Sequence, residues 1–114
     1  MATENQFMKD ARIRGLIDDR EIAFMVDVIC TNGNNGRAWM LLNGSMLHLC
    51  EPVGMVKLGE LLESLDLEKA ELVKASSFVL NPFVKLRYAG EVYTFRGFAQ
   101  AKRVVETIRE CCKG

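Results

Sequence analysis

The sequence predicts a mainly β domain of the α+β type, closed by one amphipathic helix at its C-terminal end. Three observations carry that prediction. Apolar and polar residues alternate with period two over 22–30, 84–88 and 93–96. Asn-Gly and Ala-Gly pairs sit between such runs, where tight reversals belong. From Phe98 onward the apolar residues recur at helical spacing instead. A length of 114 residues, 49% apolar and 26% charged, suits one domain with one core and leaves no room for a second.

The elements follow in order. Residues 5–18 place Phe7, Met8, Ala11, Gly15 and Leu16 at near-helical spacing among Lys9, Asp10, Arg12 and Arg14, which predicts a short helix. Over 22–30, Ile22, Phe24, Val26, Val28 and Cys30 share one parity and Asp27 takes the other, the pattern of a first strand. The run Asn32-Gly33-Asn34-Asn35-Gly36 then supplies the positive φ values of a hairpin loop. Ala38–Leu42 and Ser45–Cys50 flank Asn43-Gly44, the dipeptide suited to a type I′ turn, and read as strands two and three. Glu51-Pro52-Val53-Gly54 is expected to break the sheet, because proline cannot donate to a ladder.

Residues 55–76 carry two patterns. Met55, Leu58, Leu62, Leu65, Lys69 and Leu72 follow helical spacing through Glu-, Leu- and Lys-rich sequence, whereas Leu61, Leu65 and Leu67 share a strand parity. The stretch ends in the strand-prone Ser77-Phe78-Val79-Leu80. Local sequence leaves helix and strand both open over 55–70. Beyond it, Val84, Leu86 and Tyr88 alternate with Lys85 and Arg87, Ala89-Gly90 turns the chain, and Tyr93 and Phe95 return as a half-buried hairpin. Phe98, Ala101, Val105, Ile108 and Cys112 then trace an apolar stripe that must cover the open sheet.

The string from Tyr88-Ala89-Gly90-Glu91-Val92-Tyr93-Thr94-Phe95-Arg96-Gly97 to Phe98-Ala99-Gln100-Ala101-Lys102 resembles the closing hairpin and helix of bacterial pleckstrin-homology-like domains, GRAM-type members included. Asp66–Val73 is similar to the strand where such domains carry an I-x-L-x-x-I-x-x-V pattern. The resemblance spans about residues 20–112. It implies a seven-stranded, strongly bent antiparallel sheet or partly open barrel plugged by the C-terminal helix. Strand four would be Leu61–Leu67, with Met55–Glu60 a loop or helical turn before it, and strand five would be Glu71–Leu80. The chain would divide into an N-terminal helical extension, 1–20, and the domain proper, 21–114.

In eukaryotic lipid-binding members of that superfamily, basic residues at the end of strand one and in strand two clasp an inositol phosphate beside the first loop. The matching stretch here, 28–39, holds one basic residue, Arg37, and the loop amides of Asn34 and Asn35. These three are the candidate ligand-binding residues. One cation falls short of the several charge-assisted bonds that phosphoinositide affinity needs.

Other candidates have ordinary explanations. His48 and Cys50 share a strand face at i and i+2, near the limit of contact for a cysteine nucleophile and its base. His48 is the sole histidine, and Cys30, Cys50, Cys111 and Cys112 show no CxxC spacing, so neither a metal site nor a cofactor is expected. Asp18-Asp19, Asp66 with Glu68 and Glu60 with Glu63 read as solvated carboxylates, and the glycines form no phosphate loop. Trp39 reads as core or core rim, and Met25, Met40, Met46 and Met55 as gap fillers. In the first strand, the off-parity residues Ala23, Met25 and Ile29 are apolar too, so its second face needs cover from residues 5–18 or from another subunit.

Fifteen basic and fifteen acidic residues cancel, which argues against a nucleic-acid partner. Lys102, Arg103, Arg109 and Lys113 are interspersed with Glu106 and Glu110, as on a solvated helix face. No run approaches the roughly twenty apolar residues of a membrane span, and the charged stretch Met1–Arg20 is unlike a signal peptide, so a cytoplasmic protein is expected. The function expected from the resemblance is a non-catalytic interaction module for a protein, a peptide or a second copy of itself. The alternatives are a peripheral domain with weak affinity for anionic phospholipid and, third, a cysteine-dependent enzyme using Cys50 and His48.

Overall fold

The computed structural model describes residues 6–54 and 57–112. The chain forms helix α1 (Gln6–Ile13), strands β1 (Ala23–Cys30), β2 (Gly36–Asn43), β3 (Met46–Val53) and β4 (Lys57–Asp66), and a 3₁₀ turn (Leu67–Lys69). Strands β5 (Glu71–Ser76), β6 (Phe83–Tyr88) and β7 (Glu91–Arg96) and helix α2 (Ala101–Cys111) follow. The strands make one seven-stranded antiparallel sheet in the order β4-β3-β2-β1-β7-β6-β5, with β4 and β5 at its edges.

Period-two alternation sorts the side chains between two clusters. Val26, Val28 and Cys30 of β1, Ala38, Met40 and Leu42 of β2, and Phe95 of β7 face the inner core. Into it α2 packs Ala101, Val104, Val105 and Ile108, with Phe98 just ahead of the helix also buried. The stripe thus packs against one face of the sheet as its spacing predicts. The opposite parity builds a second cluster: Leu41 and Cys50 are buried against Ala11, Leu16 and Ile17, with Phe7, Met8, Ala23, Trp39 and Leu58 packed around them. The N-terminal segment therefore supplies the cover that Ala23 requires, while Ile29, farther along β1, stays 44% exposed.

The N-terminal segment is shaped to do this. Gly15 takes a left-handed φ of 72°, its N–H reaches the carbonyl of Arg12, and the N–H of Leu16 reaches that of Ala11. That pair of bonds ends the helix and brings Leu16 back over Ala11.

The observed elements depart from the expected ones as follows, beginning with α1, which ends at Ile13 although helical spacing ran on to 18. The segment 57–66 is strand, from Lys57 rather than Leu61, and the part of the expected loop that falls on Met55 lies outside the described residues, as does Lys113. β3 passes through Pro52 instead of breaking at Glu51. Its pairing with β2 ends at Trp39↔Cys50, so Pro52 pairs with Leu58 alone and its missing N–H removes no second ladder bond. The β2–β3 reversal is centred on Gly44-Ser45 with positive φ only at Gly44, the signature of type II′ and not of the type I′ expected from Asn43-Gly44. β5 stops at Ser76, leaving 77–82 as a loop in place of the expected strand to Leu80. α2 begins at Ala101, three residues after Phe98.

Candidate functional site

A concave site with both polar and apolar walls opens between the β1–β2 loop and β4. It is a cleft of about 390 Å³ lined by Val28, Asn34, Asn35, Gly36, Arg37, Ala38, Leu49, Leu62 and Glu63. The sequence-predicted residues Asn34, Asn35 and Arg37 come together on one wall of it.

The loop is held from within. Asn32 Oδ1 accepts from Asn34 N–H at 2.8 Å, and Asn35 Oδ1 accepts from Cys30 N–H at 2.9 Å. Asn35 thus has its carbonyl committed to the backbone and keeps its NH₂ as a donor. From outside, the loop is tied to the start of β7, where Thr31 N–H bonds the carbonyl of Val92 and Val92 N–H bonds Thr31 Oγ1. Arg37 is exposed, and its Nε lies 3.4 Å from Asp27 Oδ1, its cross-strand neighbour.

The opposite wall was not foreseen. Pairing of β3 with β4 slips between Leu49 and Cys50, so that Leu49 faces Glu63 and Cys50 faces Leu61, with Leu62 left over as a bulge. Leu62 lines the cleft yet remains 59% exposed. Beside it Glu63 accepts a hydrogen bond from the hydroxyl of Tyr93. Burial first, and the Glu63 carboxylate second, push the Tyr93 hydroxyl well above its usual range, so it stays a donor at all ordinary pH. A signal for this wall existed only in the adjacent Leu61-Leu62 pair, which no single strand parity accommodates.

The lining of the cleft combines aliphatic side chains with one cation and one carboxylate, and holds no cysteine, serine or histidine. Cys50 and His48 do not form the nucleophile and base pair. The Cys50 thiol is fully buried under the N-terminal segment, and that burial raises its pKa. His48 Nδ1 instead sits 2.7 Å from Ser64 Oγ, and burial lowers the ring's pKa. Among the described residues no group of three or more His, Cys, Asp or Glu is placed to hold a metal ion, and no helix is long and apolar enough to cross a membrane.

No protein-family profile matches the chain, and no curated protein matches it. A solved structure does: the apo structure of the activated truncation of Vav1, which contains a pleckstrin-homology domain, superposes with a TM-score of 0.66 at 10% identity. The match covers 91% of this chain. The fold is pleckstrin-homology-like. At such identity the likeness is one of fold, and the chain spans 31% of the length of that structure.

Proposed function

We propose that this pleckstrin-homology-like domain is a non-catalytic interaction module that binds a short extended peptide of a partner protein in the cleft beside the β1–β2 loop. The observation that carries the reading is the composition of the cleft walls. Val28, Ala38, Leu49 and Leu62 offer an apolar seat, while Arg37 and Glu63 face it with opposite charges. A polyphosphate headgroup needs several converging cations and no carboxylate. A peptide, carrying donors, acceptors and side chains of both signs, fits such a seat, and about 390 Å³ admits a large apolar side chain. The free edge of β4 borders the cleft and offers main-chain groups to an added strand.

Peptides selected by phage display on the folded chain, followed by amide chemical-shift mapping, test the reading. Shifts are expected at Asn34, Asn35, Arg37, Leu62 and Glu63, and Leu62→Asp is expected to weaken binding about tenfold or more. No perturbation at about 1 mM peptide, or shifts confined to other residues, would sink it.

A further inference from the structure

Of the two charged side chains that line the cleft beside the β1–β2 loop, one is balanced from within the chain. Arg37 has Asp27 as its cross-strand neighbour, with its Nε 3.4 Å from Asp27 Oδ1. Glu63 has no ion-pair partner among the described residues. The hydrogen bond it accepts comes from the neutral hydroxyl of Tyr93. The uncompensated charge of the cleft is therefore negative.

The strand pairing turns that carboxylate away from open water. β4 is an edge strand, yet Glu63 pairs with Leu49, which belongs to the inner core, and residues directly opposite one another project to the same face of a sheet. Glu63 thus points inward and is half-buried, where a carboxylate without a cation forgoes part of its hydration. Tyr93 fixes its position. The tyrosine is 3% exposed and packs in the inner core with its ring 6.2 Å from that of Phe95, so the hydroxyl that donates to Glu63 Oε1 stands on a close-packed support. A carboxylate accepts through both oxygens, and among the described residues no hydrogen bond reaches Glu63 Oε2.

Val28, Leu49 and Leu62 line the same cleft. An aliphatic lining that includes one unpaired carboxylate matches a side chain with a long apolar stem and a cationic head. Lysine suits it better than arginine. An ammonium is a point charge that one oxygen satisfies, whereas a guanidinium binds most strongly as a planar fork on both oxygens, one of which Tyr93 already engages. We propose that the cleft reads a lysine side chain of the partner peptide, its stem lying on Val28, Leu49 and Leu62 and its ammonium donating to Glu63, with Tyr93 as the residue that positions the carboxylate. The inference rests on the peptide reading of the cleft and adds to it the residue that decides which peptides bind.

Octapeptides displayed on phage and selected on the folded chain test it. Those that shift the amide signals of Leu62 and Glu63 are expected to share a lysine at one position. In synthetic copies, replacing that lysine by norleucine or acetyl-lysine is expected to lower affinity at least about tenfold, as read by fluorescence anisotropy. Arginine in its place is expected to bind more weakly than lysine. Glu63→Gln keeps the side-chain shape and an acceptor for Tyr93, and is expected to bind the lysine and norleucine peptides within about twofold of each other. Tyr93→Phe is expected to narrow the lysine preference several-fold while leaving norleucine binding unchanged, a split that a general loss of packing would not produce. Cleft-binding peptides without lysine, or a lysine preference that survives Glu63→Gln, would overturn the proposal while the peptide reading stands, and would leave Glu63 as an inward charge guarding an edge strand. Equal affinity for the arginine peptide would also overturn it. Absence of any cleft-binding peptide would overturn both readings together.

Discussion

Asp18 shows how one side chain can hold distant parts of the chain together. Its carboxylate receives Arg20 Nε at 3.0 Å, Arg20 Nη2 at 2.7 Å and the backbone N–H of Gly44 at 2.7 Å, while Arg20 Nη2 also reaches the Gly44 carbonyl at 2.7 Å. The connector behind α1 is thereby fastened to the β2–β3 turn. The Arg20 hydrogen bonds, outweighing the opposing effect of burial, hold the Asp18 carboxyl well below its usual range. A folded pKa lower than the unfolded one gives stability that is present above the ordinary carboxylate pKa, about 4, and is lost as pH falls through the folded value. Asp18→Asn is therefore expected to cost about 2 kcal/mol at pH 7 and much less under strong acid. Urea unfolding of both chains at neutral and acid pH reads this directly, and a cost that does not shrink in acid would refute the assignment. In the sequence Asp18 looked like its exposed neighbour Asp19. What distinguishes it is a turn 26 residues away, which no local pattern reports.

Element by element, legibility followed burial contrast. β1, β6 and β7 bury one face in the inner core that α2 joins, so their alternation appeared in the sequence. β4 is an edge strand exposed along most of its first half, and its Glu-, Leu- and Lys-rich composition favours helix locally. Pairing with β3 overrides that preference, and Gly59 makes the pairing fit. A Cβ at Gly59 would stand 2.5 Å from the carbonyl oxygen of Glu51 and 2.8 Å from Val53 Cγ2. Gly59→Ala should destabilise the folded chain by about 1–3 kcal/mol, although the same change raises helicity in an isolated peptide spanning 55–70 by removing the glycine penalty of about 1 kcal/mol. Circular dichroism of the peptide and denaturant melts of the chain should move in opposite senses. Equal movement in one direction would mean that propensity, not the β3 contact, governs the segment. The loop 77–82 was misread for the converse reason: Phe78, Val79 and Leu80 have strand propensity, but the residues are unburied and pair with nothing.

At the scale of the whole molecule, two layers of packing sit on one sheet, and the N-terminal segment belongs to the outer one. The apolar off-parity residues of β1 had already required a cover, and the Phe7 ring 4.3 Å from the Trp39 ring shows where it lies. The candidate site was half legible, because Asn34, Asn35 and Arg37 share one loop, whereas Leu62 and Glu63 reach the cleft only through a bulge between distant strands. A division of the chain at residue 20 is a claim that the sheet and α2 stand without the outer layer, and the cysteines can test it. Cys50 is buried beneath Ala11, Leu16 and Ile17, whereas Cys30 is buried in the inner core. Loss of three buried apolar side chains, at up to about 2 kcal/mol each, takes a large share of the 5–15 kcal/mol typical of a domain. A chain starting at residue 21 should melt earlier yet keep its sheet spectrum. Its Cys50 should be alkylated many times faster than in the full chain, since exposure both opens access and removes the burial that raises the thiol's pKa. Its Cys30 should remain protected. Simultaneous exposure of Cys30 in peptide-resolved mass spectrometry would show that the outer layer is integral to the domain, and continued protection of Cys50 would show that the N-terminal segment is not what buries it.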